Sequence, residues 1–393
     1  VAFAAARVPV IGVDIDENKV RRLAAWRAPV KEPELDEYLE LPETRQNLTV
    51  TNSFEDAVRR SEACLFVTPT PSLLDGSGSF DHTLLLAAIH SAAQQARDQK
   101  KRRYAFVVNS TVMPGFLAGK VAPMLRRYLN GLGFGLAYKP EFIALGTVIQ
   151  DLLYPDLLLI GEDSEETGYK VERLYRELVL HDCQARRMPL VDAELAKISL
   201  NCAVTMKISF ANQVGQVAKR LGADPRRVLG AVGLDRRVGH AALRPGLPFG
   251  GPCFPRDNRM FVHVAESVGE QPYLSRATDD TNNRLKWNIL DEIPEEGSVG
   301  ILGLAYKPGS AITDDALGWW LACVLWSRQR RVLTHDPMVK HSHQLAEVLG
   351  CKTVVICCQC QEYAEISVPE ETLVIDPAGM AKVVRYKEEA VAQ

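Results

Sequence analysis

Cys253 lies in the run Phe249-Gly250-Gly251-Pro252-Cys253-Phe254-Pro255-Arg256-Asp257, and a thiol in that company is a candidate nucleophile. The two glycines let a backbone approach a ligand closely, the prolines hold the shape of the loop, and Asp257 adds a carboxylate four residues on. A lone cysteine in a tight loop is more often a small buried apolar residue, so its neighbours decide the reading. Lys197 and Asn201 are four apart; on a helix they share one face and can point together into a cleft. A lysine on an otherwise apolar helix either snorkels to solvent or has a partner. Thiolate forms most readily beside positive charge, which Lys197 supplies. Thr111 and Glu141 follow strand-like segments, where either can orient a water. Asp14 ends a β-branched run, a place where an acid accepts hydrogen bonds from the adenosine ribose of a dinucleotide such as NAD, or caps the next helix.

The elements that must carry these residues alternate. VPVIGVDI (8–15) reads as a strand and ENKVRRLAAW as the helix after it. CLFVTPT and AFVVNST are further strands ending in small polar residues or Pro, and such alternation predicts a parallel sheet covered by helices. Ligands then bind beyond the strands' carboxyl ends, which places Asp14, Thr68 to Thr70 and Asn109 to Thr111 along one crevice. From Asp192 to Leu221 the sequence has no Pro and one Gly, Gly215, and predicts one long helix, apolar on more than one side and so buried between layers or subunits. GADPRRVLGAVGLD predicts a shorter helix, followed by the Gly/Pro-rich loop that holds Cys253. SVGILGLAYKPG, ALGWWLACVLWSRQR, RVLTHDP, KTVVICC and TLVIDP then predict a second, smaller doubly wound domain. The expected fold class is α/β, with two Rossmann-like doubly wound domains joined by a long central helix and a small helical domain. The expected boundaries are 1–189, 190–286 and 287–393.

The 393 residues suit two or three domains. With 47% hydrophobic and 24% charged residues and a net charge of −3, the chain reads as globular, with no basic field to attract nucleic acid or anionic lipid. No apolar run approaches the ~20 residues that span a bilayer, and the first residues lack the order of a signal peptide, so no membrane partner and a cytoplasmic location are expected. Nine scattered cysteines fit reduced thiols rather than a disulfide framework. Cys357-Cys358-Gln359-Cys360 follows the apolar run KTVVI and reads as the end of a buried strand rather than a metal cluster; no metal is expected.

Taken in order, GVDIDENKV, VTPTP, NSTVMPG, KPEFIALGTVIQDLLYPD, AELAKISLN, KISFAN, GLDRRVG, FGGPCFPRD, GLAYKPG and THDP resemble the UDP-glucose/GDP-mannose dehydrogenase family over nearly the whole chain. The resemblance implies a two-step, four-electron oxidation of a nucleotide sugar's primary alcohol, using two NAD molecules in turn. It implies that Cys253 traps the aldehyde as a thiohemiacetal and carries a thioester that water hydrolyses. It further implies oxyanion stabilisation by Lys197 and Asn201, support for the lysine and for proton transfer from Asp257, and handling of the hydrolytic water by Glu141 and Thr111. By the same resemblance Asp14 and Lys19 contact the NAD ribose, and Thr70 and Lys307 line the cofactor cleft. Arg237 reaches a neighbouring subunit's substrate, and Arg244, Gly250 and Gly251 hold sugar and nucleotide. The last domain binds the nucleotide, and the long helix forms a homodimer interface.

The chain departs from the family pattern at several places. No Gly-rich phosphate loop and preceding strand stand before Asp14, and VAFAAAR reads as the second half of the helix that such a loop opens, so missing residues are expected there. Leu145 stands where the family often has a second acid, which leaves hydrolysis to Glu141. Thr313 and Asp314 stand where an arginine often contacts phosphate. The segments Leu129 to Phe134 and Gly350 to Lys352 look short, as if surface loops were left out. Two other readings stay open: a hydroxyacid or 6-phosphogluconate-type dehydrogenase, which needs no cysteine, and a nucleotide-sugar-binding protein without NAD. The implied sugar is of the UDP-glucose type, with GDP-mannose and a UDP-N-acetylhexosamine as alternatives that Ala242, Leu243 and Leu247 do not settle.

Overall fold

A computed structural model describes residues 1–387 apart from Leu74 and His341, so 388–393 of the expected last domain lie outside the described residues. The chain forms two compact units, Val1–Lys197 and a second beginning at Ile198.

In the first unit, five strands form one sheet in the order Ala63–Phe66, Tyr104–Val108, Phe134–Tyr138, Leu157–Glu162, Gln184–Pro189. Every residue of Tyr104–Val108 is buried, as expected for a strand covered on both faces. Helices Thr83–Asp98 and Ala122–Tyr128 supply Leu85, Ile89, Ala93 and Leu125 to the core around Phe66 and Phe106. The pairing of Phe134–Tyr138 with Leu157–Glu162 is antiparallel and short, matching Ala137 with Glu162 and Tyr138 with Gly161. Gly161 permits it, because a Cβ there would lie 2.9 Å from the Ala193 Cβ and 3.1 Å from the Tyr138 Cβ. The predicted strand after residue 8 is Val10–Val13, followed by helix Glu17–Ala24, which Asp16 caps through the amides of Asn18 and Lys19. That strand pairs in parallel with Leu48–Thr51 in a sheet of its own, a division that alternation in the sequence does not reveal.

The predicted long helix is Leu190–Arg220. Its one glycine, Gly215, is set by contact, since a Cβ would come within 2.8 Å of the Pro245 ring. Near its start Glu194 is fully buried and accepts hydrogen bonds from the backbone amides of Gly115 (2.6 Å) and Leu117 (2.9 Å). This bond pair ties the helix to the segment that follows Thr111.

The second unit holds helices Pro225–Leu234, Phe254–Ser267 and Tyr273–Asp291 and a parallel four-stranded sheet. The strand order is Leu373–Ile375, Thr353–Ile356, Val299–Leu302, Val332–His335. Consecutive strands Val299–Leu302 and Val332–His335 lie on one side and the next two on the other, which is the doubly wound arrangement. A separate parallel pair joins Glu365–Pro369 to Lys382–Tyr386. Thr353–Ile356 is wholly buried and leads into buried Cys357 and Cys358. Gly303 has φ +91°, and a Cβ there would sit 2.2 Å from that of Cys358, so a side chain at 303 is excluded on two counts.

Burial pushes the Glu194 carboxyl up to about 7, against the pull of its two amide donors. A carboxyl raised above its unfolded value stabilises the fold below that value and loses the contribution as pH rises through the folded one. Here the loss runs from roughly pH 4.5 to 7. The melting temperature of Glu194→Gln minus that of the wild type should therefore become more positive between pH 5 and pH 8. A difference that stays flat across this range would show that Glu194 is not titrating against the fold.

Candidate active site

Two adjacent strands of the first unit end side by side. Asn109 follows Tyr104–Val108, Lys139 follows Phe134–Tyr138, and the Lys139 amide donates to the Val108 carbonyl at 2.8 Å. Lys139 is buried, at 3% exposure. An isolated ammonium would be very costly there, but its Nζ donates to Glu141 Oε2 at 2.7 Å and lies 4.2 Å from the centre of the Tyr175 ring. Asn109 Nδ2 shares its two hydrogens among Glu141 Oε1 at 2.9 Å, the Tyr175 hydroxyl at 2.6 Å and the Lys139 carbonyl at 2.8 Å. The Tyr175 hydroxyl in turn donates to Glu141 Oε1 at 3.1 Å. Burial first and the Glu141 charge second hold Tyr175 protonated, well above its ordinary range. Burial pulls Lys139 down while Glu141 pulls it back up. The Glu141 carbonyl accepts from Lys197 Nζ at 2.7 Å, and that ammonium lies 4.3 Å from the Phe142 ring centre. One glutamate is thus held by two buried lysines, through its side chain and through its backbone.

Thr70 is buried, and its hydroxyl donates to the Thr111 carbonyl at 2.7 Å. The Ser110 hydroxyl donates to the Thr68 carbonyl at 2.6 Å. The two strand ends expected to share a crevice are therefore bonded to each other. Asp14 Oδ1 accepts from the Asp16 amide at 2.9 Å, and Oδ2 faces Lys19 Nζ at 3.6 Å, with both side chains partly exposed. That leaves the Asp14 carboxylate able to accept from ribose hydroxyls, so the residues present fit a dinucleotide ribose.

In the second unit Cys253 stands at the N-cap of helix Phe254–Ser267, exposed, with its carbonyl accepting from the Asp257 amide at 2.8 Å. The partial positive charge of a first helical turn favours an anionic sulfur there. Asp257 is completely buried and paired: Oδ2 accepts from Asn201 Nδ2 at 2.6 Å and Oδ1 from Arg256 Nε at 2.9 Å. Two buried asparagines hold the loop before the cysteine. Asn212 accepts from the Gly246 amide at 2.7 Å and donates to the Leu247 carbonyl at 3.0 Å. Asn282 accepts from the Phe249 amide at 2.8 Å and donates to the Phe249 carbonyl at 2.9 Å. Gly250 lies against the Asp315 carbonyl. Gly251, with φ +84°, lies against Tyr306, whose ring would be 2.6 Å from an added Cβ. Burial, with a smaller effect of the Cys253 charge, pushes the Tyr306 hydroxyl up to about 12.

Lys307 lies 5.8 Å from the centre of the Tyr306 ring. Arg237 is exposed and paired with Asp235 at 2.8 Å, and Arg244 is exposed. The structure thus joins Glu141 with Lys197, Thr70 with Thr111, Asp14 with Lys19, and Asn201 with Asp257, while Arg237 and Arg244 project to the surface. Sequence reasoning missed Lys139, Tyr175, Arg256 and the two loop-holding asparagines. For Lys139 the available signal was its spacing, two residues before Glu141 at a strand end; Tyr175, Asn212 and Asn282 carried none.

Residues 1–179 match the NAD binding domain of the UDP-glucose/GDP-mannose dehydrogenase family, and residues 191–284 match that family's central domain. The GDP-mannose 6-dehydrogenase of Pseudomonas savastanoi pv. phaseolicola is 32% identical over 313 residues, 78% of this chain and 69% of that protein. The UDP-glucose 6-dehydrogenase of Haloferax volcanii is 33% identical over 329 residues, 80% of this chain and 73% of that one. Among solved structures, a UDP-glucose dehydrogenase from the hyperthermophilic archaeon Pyrobaculum islandicum is similar, with TM-score 0.87 and 31% identity, covering 96% of this chain and 94% of its own. Fold, strand-end acid and matched NAD domain together define an NAD-dependent oxidoreductase. More narrowly, the chain belongs to the UDP-glucose/GDP-mannose dehydrogenase family. Among the described residues no helix is long and apolar enough to cross a membrane.

Asn282→Ala should cost about 1–3 kcal/mol, because it leaves the Phe249 amide and carbonyl buried without partners. Urea unfolding measures that loss, and iodoacetamide labelling of native Cys253 should quicken as the loop loosens. An unchanged midpoint with an unchanged labelling rate would show that the asparagine does not hold the loop.

Proposed function

We propose that the chain oxidises the C6 primary alcohol of UDP-glucose to the uronic acid in two NAD-dependent steps, through a thioester on Cys253. The observation that carries this reading is an exposed cysteine at a helix N-terminus, in a loop fixed by Asn212 and Asn282. The similarity over nearly the full length of a UDP-glucose dehydrogenase structure supports UDP-glucose as the substrate.

NAD, when bound, would accept a hydride in each of the two oxidations; in the first, C6 gives up a hydride and its hydroxyl releases a proton to solvent, leaving the aldehyde. Asp14 and Lys19 hold its adenosine ribose, and Thr70 and Lys307 line its cleft. The Cys253 sulfur adds to the aldehyde carbon, forming a C–S bond, and the resulting oxyanion takes a proton to give the thiohemiacetal. Loss of hydride and of the hydroxyl proton converts that carbon to the thioester. Water then adds to the thioester carbonyl, the C–S bond breaks, and the thiol and the carboxylic acid are regenerated. Lys197 and Asn201 stabilise the oxyanions. Asp257 orders Asn201, to which it is bonded, and supports the lysine and proton transfer. Glu141 takes a proton from the hydrolytic water, with Thr111 orienting it. Arg244, Gly250 and Gly251 hold the sugar and nucleotide, and Arg237 reaches the substrate of a second subunit.

The functional division is 1–189 for NAD, 190–286 for the cysteine and dimerisation, and 287–393 for the nucleotide. Leu195, Leu200, Phe210 and Val217 of the central helix are each about half exposed, which supports a homodimer formed along that helix.

Purified protein given limiting UDP-glucose and excess NAD should yield two NADH per sugar, read by absorbance, and Cys253→Ser should form no uronic acid. A yield of one NADH, or acid formation by Cys253→Ser, would exclude the thioester route. Turnover of GDP-mannose but not UDP-glucose in the same assay would replace the substrate and leave the chemistry intact.

A further inference from the structure

Glu141 is the only acid that the proposed hydrolysis uses, and Lys139, which that chemistry does not involve, is bonded directly to it. Lys139 is nearly inaccessible, and its Nζ donates to Glu141 Oε2 at 2.7 Å. The second oxygen, Oε1, accepts from Asn109 Nδ2 at 2.9 Å and from the Tyr175 hydroxyl at 3.1 Å. The charged and titratable groups around the carboxylate come from four segments. Among the described residues they are Lys139 on its own segment, Tyr175 on helix Glu165–Arg176, the buried thiol Cys183 before strand Gln184–Pro189, and Lys197 on the central helix, bonded to the Glu141 carbonyl.

We infer that Lys139 is a positioning residue for the oxidation: its ammonium supplies the counter-charge on Glu141 Oε2 and fixes that carboxylate in one orientation, so that Glu141 acts on water as a base. The inference rests on the role of Glu141 proposed above. A partly buried carboxylate with no counter-charge would take up a proton readily, and a protonated acid cannot accept one from water. Asn109 and Tyr175 are neutral donors and fix geometry, so the counter-charge on the side chain falls to Lys139. Lys197 donates to the Glu141 backbone carbonyl at 2.7 Å. Buried pairs of this kind lose most when one partner is removed, because the other charge is left uncompensated.

The test is the pH profile of kcat for uronic acid formation from UDP-glucose with NAD, in wild type, Lys139→Met, Lys139→Gln, Lys139→Arg and Glu141→Gln. Lys139→Met and Lys139→Gln should lower kcat roughly ten- to hundredfold near neutrality, with a much smaller change in KM for NAD. Their acid limb should move to higher pH, as loss of a neighbouring positive charge requires, whereas Lys139→Arg, which keeps the charge, should retain the wild-type limb. Lys139→Met combined with Glu141→Gln should be no slower than Glu141→Gln alone, since the two act as one unit. Lys139→Gln keeps a donor to Glu141 and supplies the readout if Lys139→Met does not fold. An acid limb that stays in place in the neutral variants while Glu141→Gln abolishes hydrolysis would overturn the role of Lys139 and leave that of Glu141 standing. Full activity of Glu141→Gln would overturn both.

Discussion

The Lys139–Glu141 ion pair is the interaction around which the first unit's site is arranged. Taking two charges out of water is unfavourable unless they meet in good geometry with their remaining bonding capacity filled. Here the ammonium has Oε2 and the face of Tyr175, and the second carboxylate oxygen has Asn109 and the tyrosine hydroxyl. Each partner comes from the carboxyl end of a strand or from a helix flanking the sheet, so strand order and register determine whether the cluster forms at all. The central helix joins it through Lys197 on the Glu141 carbonyl and Glu194 on the amides of Gly115 and Leu117.

The second unit solves a different problem. A loop rich in glycine and proline has few side chains of its own to hold it in place, and the nucleophile proposed there needs a fixed direction. Two carboxamides supply it: Asn212 and Asn282 each satisfy one amide and one carbonyl of the loop, as a neighbouring strand would. Neutral groups suffice because the loop has no charge to compensate. They also leave the field at the sulfur to the helix N-terminus. Asp257, one turn into that helix, is neutralised by Arg256 and bonded to Asn201, so its charge does not oppose a thiolate unchecked.

Much of this was legible in the residue order. The strands beginning near residues 8, 299, 332, 353 and 373 and the helix Leu190–Arg220 follow from apolar runs and from the absence of Pro, and the structure has them. The placing of Thr70 and Thr111 at the ends of strands follows from the same reading, and the structure bonds the two residues to each other. Pairing was not legible, because period and propensity do not say which strands bond: the separate sheet of Val10–Val13 with Leu48–Thr51 and the antiparallel contact at Gly161 depend on tertiary packing. Its spacing before Glu141 apart, the burial of Lys139 was hidden for the same reason. In the run AYKPEF it looks like an ordinary polar residue after a strand, and its burial follows from Tyr175 and Asn109, which reach it from distant segments.

The most direct test of the Cys253 thioester is to catch it on the sulfur. Glu141→Gln protein incubated with UDP-glucose and NAD, quenched in acid and digested, should yield a peptide containing Cys253 that is heavier by the uronyl nucleotide acyl group and loses that mass on treatment with hydroxylamine. An unmodified Cys253 peptide from protein that has nonetheless released two NADH per sugar would contradict covalent catalysis at this residue.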